Sequence, residues 1–326
     1  MTAPRGSTVI PATAHFIWYG RQLPWVHALA PITAARNGGF DRVYLHHADE
    51  PNEGEGWAAA RAEPRVTLRA LQPRARLAEI TEHGPALVQL YDRLQTFPSR
   101  ANMQRAAILY AEGGVYLDTD TLTIASLTPL RTAHVFAGLE YIALPDSVRR
   151  SFNPMRWARA GGLLVLRDLL RRAPTGHRLF QHAAPLFARA ANNAVLGASA
   201  DHPFVAALLA GMVSTPRARQ TRRFSLGTGV LQAQLEQWQG RDADVILHPP
   251  PVFYPLGPEI SEHWFATRQN PDLDAVLSES TRVIHWYASV RTQRVVPHIN
   301  AAYLDANAQT QLFSAAARSA LRGRPG

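Results

Sequence analysis

Two aspartates, Asp118 and Asp120, stand one residue apart directly after the apolar run Val115-Tyr116-Leu117. Carboxylates this close repel each other, so one of them takes up a proton unless a cation neutralises the pair. A hard divalent ion such as Mn²⁺ or Mg²⁺ prefers carboxylate oxygen and keeps coordination positions for phosphate and water. The spacing therefore favours a clamp for a metal ion and a diphosphate, and the alternative is a surface turn with two solvated carboxylates.

The residues before the aspartates predict a helix followed by a buried strand. Apolar side chains between Met103 and Tyr110 recur on one helical face, and Ser99 is the expected N-cap. Gly113 supplies the left-handed residue that commonly ends a helix. The strand that follows places both aspartates at its carboxyl end, which is where open α/β sheets bind their ligands.

Alternation along the chain predicts the fold class. Strands are expected over 14–19, 42–46 and 65–69, with a helix over 25–36 between the first two. This order predicts an α/β fold with a mostly parallel central sheet flanked by helices. A helical middle segment is predicted from patterns over 178–191, 204–213 and 230–239, and late strands from 245–247 and 282–285.

Composition excludes several classes of protein. The 326 residues are 46% hydrophobic, which allows a large core, and they include no cysteine. A disulfide framework, a thiolate nucleophile and a cysteine-ligated metal site are therefore excluded, and a reducing cytoplasm is the expected location. The net charge of +9 comes with no lysine, so every basic residue is arginine. The arginines are scattered, which favours codon bias over a nucleic-acid-binding surface.

Residues 163–172 leave a question about membranes open. Leu163, Leu166 and Leu170 share one side of a predicted helix, and Arg167 and Arg171 lie opposite. A core-facing helix is the expected explanation, and a basic amphipathic segment resting on the inner face of an anionic membrane is the alternative. The sequence has no apolar run of 18 residues, so we expect no membrane-spanning helix, and its first residues do not resemble a signal peptide.

A longer signature surrounds the two aspartates, and it reads Asn102-x-x-Arg105-x-x-x-Leu109-Tyr110-x-x-Gly113-Gly114-Val115-Tyr116-Leu117-Asp118-Thr119-Asp120. It resembles the signature of the DXD sugar-binding glycosyltransferases. That family includes the yeast outer-chain mannosyltransferase, vertebrate α-1,4-galactosyl- and N-acetylglucosaminyltransferases and the catalytic core of the large clostridial glucosylating toxins. The family's first strand is similar to Ile10-Pro11 with His15-Phe16-Ile17-Trp18-Tyr19-Gly20, and its closing segment is similar, more weakly, to Val283-Ile284-His285-Trp286-Tyr287-Ala288-Ser289.

The resemblance implies a GT-A-like, Rossmann-like fold and an enzyme that transfers a sugar from a nucleoside diphosphate sugar with retention of configuration. The implied cofactor is Mn²⁺ or Mg²⁺. UDP is the expected donor nucleotide, with GDP-mannose as the alternative. The acceptor is expected to be a glycan, a lipid-linked sugar or a small molecule in bacterial glycan, glycolipid or natural-product glycosylation, and no nucleic-acid partner is expected.

Carried over residue by residue, the resemblance implies three overlapping groups. The catalytic residues are Asp118, Asp120 and Arg105. The donor-binding residues are Trp18, which stacks on the base, Asn102, Arg105, Tyr116, Asp118 and Ser289. The metal ligands are Asp118, Asp120 and His285. Several of these also have a structural explanation, namely core aromatics for Trp18 and Tyr116, a surface arginine for Arg105 and a structural histidine for His285.

The sequence departs from the family pattern at several points. Asn102 stands where the family usually has aspartate, which puts donor choice and donor affinity in doubt. Val290 replaces the tryptophan that often follows the closing serine. Gly227-Thr228-Gly229 resembles the family's Thr-Gly-Pro turn, with Val230 where proline is common. Asn192-Asn193 resembles a family asparagine near the acceptor side.

Two other functions stay open. Leu117-Asp118-Thr119-Asp120-Thr121-Leu122 also resembles the first motif of haloacid-dehalogenase-like phosphatases, in which Asp118 would be the phosphoryl nucleophile. That family needs a downstream lysine or arginine and a later acidic pair, and neither Asp242/Asp244 nor Asp272/Asp274 follows a convincing strand. The third class is a non-catalytic protein that binds anions or nucleic acid.

The expected organisation is a single GT-A-like domain over 1–300. Its nucleotide-sugar-binding half covers about 10–130 and its acceptor half about 131–300. A C-terminal tail over 301–326 is expected to pack as a helix or to fray.

Overall fold

The computed structural model describes residues 9–222, 224–238, 244–268, 271–290 and 292–323, and within them the N-terminal apolar runs form parallel strands. Strand β1 (Thr13–Trp18) pairs in parallel with β2 (Arg42–His47), which pairs in parallel with β3 (Val66–Ala70). Helices α1 (Trp25–Asn37) and α2 (Glu55–Ala62) connect them. The strands and the helix predicted over this region are confirmed to within a residue or two.

The central sheet continues on the other side of β1. Strand β4 (Gly114–Leu117) is parallel to β1, whereas β7 (Ala188–Ala198) runs antiparallel between β4 and β6 (Val135–Ile142). Strand β8 (Val245–His248) lies parallel to β6 at the edge. Among the described residues the strand order is β3-β2-β1-β4-β7-β6-β8, and a second small sheet joins β5 (Thr121–Thr123) to β9 (Val283–His285).

Helices flank this sheet and fill the middle of the chain. They are α3 (Pro73–Glu79), α4 (Gly84–Arg93), α5 (Phe97–Glu112), α6 (Asp146–Arg149), α7 (Pro154–Arg172), α8 (Gly176–Ala183), α9 (Pro203–Ser214), α10 (Arg217–Gln220), α11 (Val230–Gln237), α12 (Ala301–Asn307) and α13 (Leu312–Arg322). The predicted α/β class, with a mostly parallel sheet flanked by helices and a helical middle segment, is confirmed. Two positions named from sequence, Gln239 and Asp242, lie outside the described residues.

Alternate residues of the central strands face two separate cores. Ile17 and Tyr116 pack with α4, α5 and α9 on one side of the sheet. Phe16 and Val115 pack with α1 and α2 on the other side. Burial on both faces explains why these strands read as unbroken apolar runs, and it fixes β4 directly beneath the aspartates that follow it.

Helix α5 leads into β4 through two glycines. Gly113 and Gly114 have φ angles of 65° and 99°, and a Cβ on Gly113 would lie 2.8 Å from the backbone nitrogen of Ala200. Glycine adopts this backbone without strain, so the predicted helix end is confirmed. The predicted N-cap is wrong, because Ser99 lies inside the first turn, where Pro98 is well suited to the start of a helix.

The predicted helix over 178–191 is wrong in its second half. Helix α8 ends at Ala183, and β7 begins five residues later and pairs with both β4 and β6. The run 188–194 is rich in alanine, which favours helix locally. Pairing with two neighbouring strands outweighs that preference. Strand β6, which lies within the region expected to be helical, had no prediction of its own.

Residues 163–172, for which a core-facing helix and a membrane-surface segment were both considered, form the second half of helix α7. Its three leucines pack into a core cluster. Arg167 and Arg171 pair with Glu259 and Glu262 at 3.3 Å and 2.7 Å. The core-facing interpretation therefore agrees with the structure, because these arginines are engaged within the protein. Over the described ranges, no helix combines bilayer-spanning length with sufficient hydrophobicity.

The C-terminal helices lie against α1. Phe313 is fully buried, and Asn37 at the end of α1 donates to the carbonyl oxygen of Ala320 at 2.8 Å. Arg36 donates to the carbonyl oxygen of Leu321 at 2.5 Å. The residues expected to pack as a helix or to fray therefore form packed helices over 301–307 and 312–322. The division into a domain, two halves and a tail stays a prediction.

Candidate active site

Two residues of the signature hold the side chain of Asp118. Its Oδ1 accepts hydrogen bonds from Arg105 Nη2 at 2.7 Å and from the Tyr116 hydroxyl at 2.8 Å. Arg105 comes from the buried face of α5, and Tyr116 comes from β4, so the turn at Gly113 brings them together. The Asp118 side chain is 28% exposed, and its Oδ2 makes no hydrogen bond to any described residue. Asp118 thus keeps an oxygen available for a ligand.

Arg105 is the buried cation of this site. It is 5% exposed, donates also to the carbonyl oxygen of Asn193, and lies 4.1 Å from the centroid of the Tyr116 ring. A charge at this depth is tolerated when it is paired, and Asp118 is its partner. Burial raises the pKa of the Asp118 carboxyl, and Arg105 opposes that rise without cancelling it.

Asp120 is held from the opposite side by the small sheet. The antiparallel register of β5 and β9 places His285 opposite Thr121, and His285 Nε2 lies 3.0 Å from Asp120 Oδ1. The backbone N–H of Ala288 donates to Oδ2 at 2.9 Å. Burial alone would raise the pKa of Asp120, but His285 and this N–H outweigh burial and hold the pKa well below its usual range. Asp120 is therefore ionised at neutral pH.

Asp118, Asp120 and His285 form a donor set that fits a divalent ion. One ligand atom from each lies within 4.8 Å of the other two. Asp120 Oδ1 and His285 Nε2 lie 3.0 Å apart as a hydrogen-bonded pair, and an ion bound by both would take the place of the shared proton. Carboxylate oxygens suit both Mn²⁺ and Mg²⁺, and the imidazole of His285 favours Mn²⁺ over the harder Mg²⁺. The residues present fit the ion that the sequence implies.

Trp18 stands at the same edge of the sheet as the acidic pair. It ends β1, which is the parallel neighbour of β4, and its side chain is half-buried. Its ring lies 4.8 Å from that of His27, whose Nδ1 lies 3.2 Å from the carbonyl oxygen of Thr119, between the aspartates. A flat aromatic surface is therefore close to the acidic pair, and its role toward a nucleotide base stays a prediction.

Asn102 meets two segments that were singled out separately from the sequence. Asn193 Nδ2 donates to Asn102 Oδ1 at 2.9 Å. Both amides lie against Gly227, where a Cβ would come within 2.7 Å of Asn102 Nδ2 and 2.9 Å of Asn193 Nδ2. This close approach explains the glycine at 227. Asn102, Arg105 and Asn193 thus form one continuous lining beside Asp118.

Two predicted donor-binding residues are placed differently from the others. Tyr116 is 2% exposed, because β4 is covered on both faces. The hydroxyl of Tyr116 contacts Asp118 directly, and its role in the nucleotide pocket stays a prediction. Ser289 is exposed on the loop after β9, next to the Ala288 N–H that contacts Asp120. Its role in donor binding stays a prediction.

Glu140 and Tyr287 are site residues that sequence reasoning missed. Glu140 lies on β6, and its Oε2 accepts from the Tyr287 hydroxyl at 2.8 Å and from Asn192 Nδ2 at 2.7 Å. Glu140 carried no local signal, because β6 was not predicted and β7 was interpreted as a helix. Tyr287 is part of the closing segment, and its backbone conformation is visible only in the structure.

Residues 58–137 match the family model described as "Glycosyltransferase sugar-binding region containing DXD motif". This range contains Asn102, Arg105 and both aspartates, so the resemblance of the central signature to the DXD glycosyltransferases is confirmed over these residues, and it indicates a glycosyltransferase. The opening and closing segments lie outside the matched range, and their similarity to the family stays a prediction. No protein of curated function matches the sequence.

Solved structures with a similar fold include three glycosyltransferases of low sequence identity. The PaToxG glycosyltransferase is 14% identical over 71% of this chain and 70% of its own, with a TM-score of 0.46. The UDP-bound glycosyltransferase domain from the YGT toxin is 10% identical over 74% and 80%, with a TM-score of 0.42. The galactosyltransferase LgtC, in complex with donor and acceptor sugar analogs, is 13% identical over 84% and 86%, with a TM-score of 0.40.

Proposed function

We propose that this glycosyltransferase is metal-dependent and moves a sugar from a nucleoside diphosphate sugar to an acceptor hydroxyl with retention of configuration. The observation that carries the proposal is the meeting of Asp118, Asp120 and His285 within 4.8 Å of one another. The two aspartates belong to the matched sugar-binding region. The histidine comes from a strand 165 residues after Asp120, so the acidic pair is supplied with a third ligand by the fold.

Asp120, His285 and the second oxygen of Asp118 are the residues that would hold Mn²⁺ or Mg²⁺. When bound, the ion neutralises the negative charge that develops on the departing diphosphate. Asp120 suits this position because it is ionised and because the Ala288 N–H fixes its carboxylate. The phosphatase alternative has less support, since the chain has no lysine, which that family uses more often than arginine, and among the described residues Asp272 and Asp274 do not follow a strand.

Arg105 and Tyr116 prepare Asp118 for the donor. Both hydrogen bonds end on Oδ1, so the carboxylate is restrained. One lone pair of Oδ2 would ligate the ion, and the other can accept from a ribose or sugar hydroxyl. Arg105 also keeps a fixed positive charge behind Asp118, 2.7 Å from its Oδ1, which offsets the negative charge of the carboxylate. Trp18 is proposed to stack on the base, Asn102 to contact the sugar, and Ser289 to lie near the diphosphate.

The transition state of glycosyl transfer resembles an oxocarbenium ion. We assign no residue as a nucleophile. The bond between the anomeric carbon and the diphosphate oxygen breaks, the acceptor oxygen bonds to that carbon on the same face, and the hydroxyl proton passes to the departing diphosphate oxygen, which accounts for retention. Mass-spectrometric trapping of a covalent glycosyl-enzyme would contradict this part of the proposal.

The donor nucleotide is proposed to be UDP, because most families that the signature resembles use it, and GDP-mannose is the alternative. The acceptor is proposed to be a hydroxyl of a glycan, a lipid-linked sugar or a small molecule, and the location to be the cytoplasm. Membrane contact through residues 163–172 is not retained, because Arg167 and Arg171 are paired with Glu259 and Glu262.

The test is a thermal-shift panel of UDP, GDP and CMP, each with Mn²⁺ and each with EDTA. A ligand at about 100 times its dissociation constant stabilises the folded state by roughly 2.7 kcal/mol, which raises the unfolding temperature by a few degrees. We expect one nucleotide to stabilise the protein in the presence of Mn²⁺ but not in the presence of EDTA. Asp120→Ala should abolish this stabilisation. Asp146 supplies a matched control, because Asp146→Ala also removes a carboxylate, but from a side chain that is exposed to solvent.

Each outcome of the panel has a clear meaning. Metal-dependent stabilisation by a single nucleotide supports the proposal and identifies the donor class. Stabilisation by no nucleotide in either condition contradicts it. A salt-sensitive response to every anion that Asp120→Ala leaves unchanged would support the non-catalytic anion-binding class instead.

A further inference from the structure

Glu140 is a carboxylate at the site that the proposed reaction does not use. Its Oε2 receives two hydrogen bonds, from Tyr287 on the loop after β9 and from Asn192 on β7. Glu140 therefore ties the central sheet to the segment that carries His285. That segment is otherwise joined to Asp120 through the small sheet and through its own backbone.

Tyr287 has a backbone conformation that aromatic residues rarely adopt. Its φ angle is 58°, in the left-handed region, where a side chain is strained and persists only when surrounding contacts fix it. The contacts here are the hydroxyl bond to Glu140 and hydrogen bonds from Thr292 Oγ1 and the Val290 backbone N–H to the Tyr287 carbonyl oxygen, at 2.9 Å and 3.0 Å. The carbonyl group of Tyr287 is thus held by its own loop, and its hydroxyl is held by Glu140 on β6.

The turn at Tyr287 is what surrounds Asp120 with donors. His285 lies before the turn and approaches Oδ1, whereas the Ala288 N–H lies after it and approaches Oδ2. The Trp286 backbone N–H donates to the carbonyl oxygen of Asp120 at 3.0 Å. An extended backbone at 287 would carry the Ala288 N–H away from the carboxylate, so the left-handed turn and the metal ligands depend on each other.

We propose that Glu140 is a positioning residue, whose hydrogen bond to Tyr287 holds His285 and Ala288 around Asp120 and thereby sets the affinity of the site for a divalent ion. The inference rests on the proposed function in that it takes Asp118, Asp120 and His285 as the metal ligands. It adds a residue that is expected to touch neither metal nor donor. Partners of this kind typically change metal affinity by 10–100-fold when they are removed.

Hydrogen bonding and charge can be separated by substitution. Glu140→Gln removes the negative charge, but its amide oxygen still accepts from Tyr287 and Asn192. Tyr287→Phe keeps the charge of Glu140 and the aromatic body of residue 287, but it removes the hydroxyl donor. Glu140→Ala removes both the charge and the acceptor. Tyr303→Phe is a matched control, because Tyr303 donates to Gln311 in the C-terminal helices, outside the site.

The experiment measures binding of Mn²⁺ to the full chain by electron paramagnetic resonance of the free ion, with and without UDP. Circular dichroism confirms that each variant is folded. We expect the Mn²⁺ dissociation constant to rise about tenfold or more in Glu140→Ala and Tyr287→Phe. It should stay within about twofold of the unaltered value in Glu140→Gln and Tyr303→Phe, since neither loses the hydrogen bond to Tyr287.

Three results would overturn the inference in distinguishable ways. Unchanged Mn²⁺ binding in both Tyr287→Phe and Glu140→Ala would refute the positioning role and leave the proposed function intact. Weak binding in Glu140→Gln with normal binding in Tyr287→Phe would show that Glu140 acts through its charge on His285. Absence of Mn²⁺ binding in the unaltered protein would contradict the proposed function itself, and the inference with it.

Discussion

Arg105 Nη2 and Asp118 Oδ1 form an ion pair at 2.7 Å in which the arginine is buried and the aspartate reaches solvent, with side chains that are 6% and 28% exposed. The cation is enclosed by α5, β4 and the carbonyl oxygen of Asn193. The carboxylate stands at the rim, where one oxygen is held and one is available. The pair therefore presents a fixed negative group to a ligand while the compensating positive charge stays inside the protein.

Loss of Arg105 is expected to destabilise the fold. Removal of one partner from a buried ion pair typically costs about 3–5 kcal/mol, and the partial exposure of Asp118 favours the lower end of that range. Arg105→Met should therefore lower the free energy of unfolding in urea by about 3 kcal/mol. The control is Arg318→Met, whose partner Asp305 is 67% exposed, and it should cost less than about 1 kcal/mol. Equal losses of unfolding free energy in the two variants would show that the buried pair stabilises the fold no more than an exposed pair does.

Asn102→Asp tests the departure from the family pattern. A carboxylate at this position can still accept from Asn193 Nδ2, so we expect the fold to be retained. It can no longer donate to a sugar hydroxyl but accepts more strongly, and hydrogen bonds to charged groups contribute about 1.5–3 kcal/mol. The ratio of kcat/KM between two epimeric UDP-sugars should therefore change by about tenfold or more. An unchanged ratio would place Asn102 away from the sugar.

The stability of the protein is expected to fall in acid because of His15. Its Nε2 lies 3.0 Å from the carbonyl oxygen of Gly113 and its Nδ1 lies 3.1 Å from His46 Nε2. Burial lowers the pKa of His15 from 6.5 to about 4. Between these pH values the unfolded chain binds a proton at His15 and the folded chain does not. The contribution of neutral His15 to the free energy of unfolding is therefore complete above pH 6.5 and is lost as the pH falls toward 4.

The size of this effect is about 3 kcal/mol for His15 alone. Urea unfolding at pH 7.5 and pH 4.5 measures it, and His15→Asn should reduce the difference between the two conditions. The exposed His182 provides a control, because His182→Asn should leave the difference unchanged. A pH dependence that His15→Asn does not alter would assign the acid sensitivity to other groups.

Gly113→Ala is expected to destabilise the connection between α5 and β4. A non-glycine residue at a φ of 65° costs of order 1–3 kcal/mol, and the new Cβ would also lie 2.8 Å from the Ala200 nitrogen. Gly323 has a similar φ of 73° with no atom within 4 Å of its ideal Cβ. The additional loss of unfolding free energy in Gly113→Ala over Gly323→Ala measures the cost of the clash with Ala200. Equal losses would mean that the backbone at Ala200 shifts to accommodate the new Cβ at little cost.

The sequence predicts best where structure depends on neighbours along the chain. The strands around Phe16, Leu45 and Leu68 and the glycine turn at Gly113 follow from local patterns, and the structure contains them. Strand β7 could not be predicted, because its alanines favour helix and its pairing with β4 and β6 involves residues far away in sequence. Glu140 has no local signal at all, since its contacts come from β7 and the loop after β9.

The acidic pair shows the same division. Local spacing was sufficient to place Asp118 and Asp120 at a strand end, and the family resemblance added His285. The contact of His285 with Asp120 depends on the register of β5 with β9, which no local pattern encodes.

The pairing of β5 with β9 also bears on how the protein matures during synthesis. Asp120 leaves the ribosome 165 residues before His285, and domains generally fold as their segments emerge. During that interval the N-terminal half can assemble its parallel strands, but the aspartates lack the histidine that faces them in the native protein. The contact between Asp120 and His285 is therefore completed late, after most of the chain has been translated, and a nascent chain stalled before residue 283 carries both aspartates without that histidine.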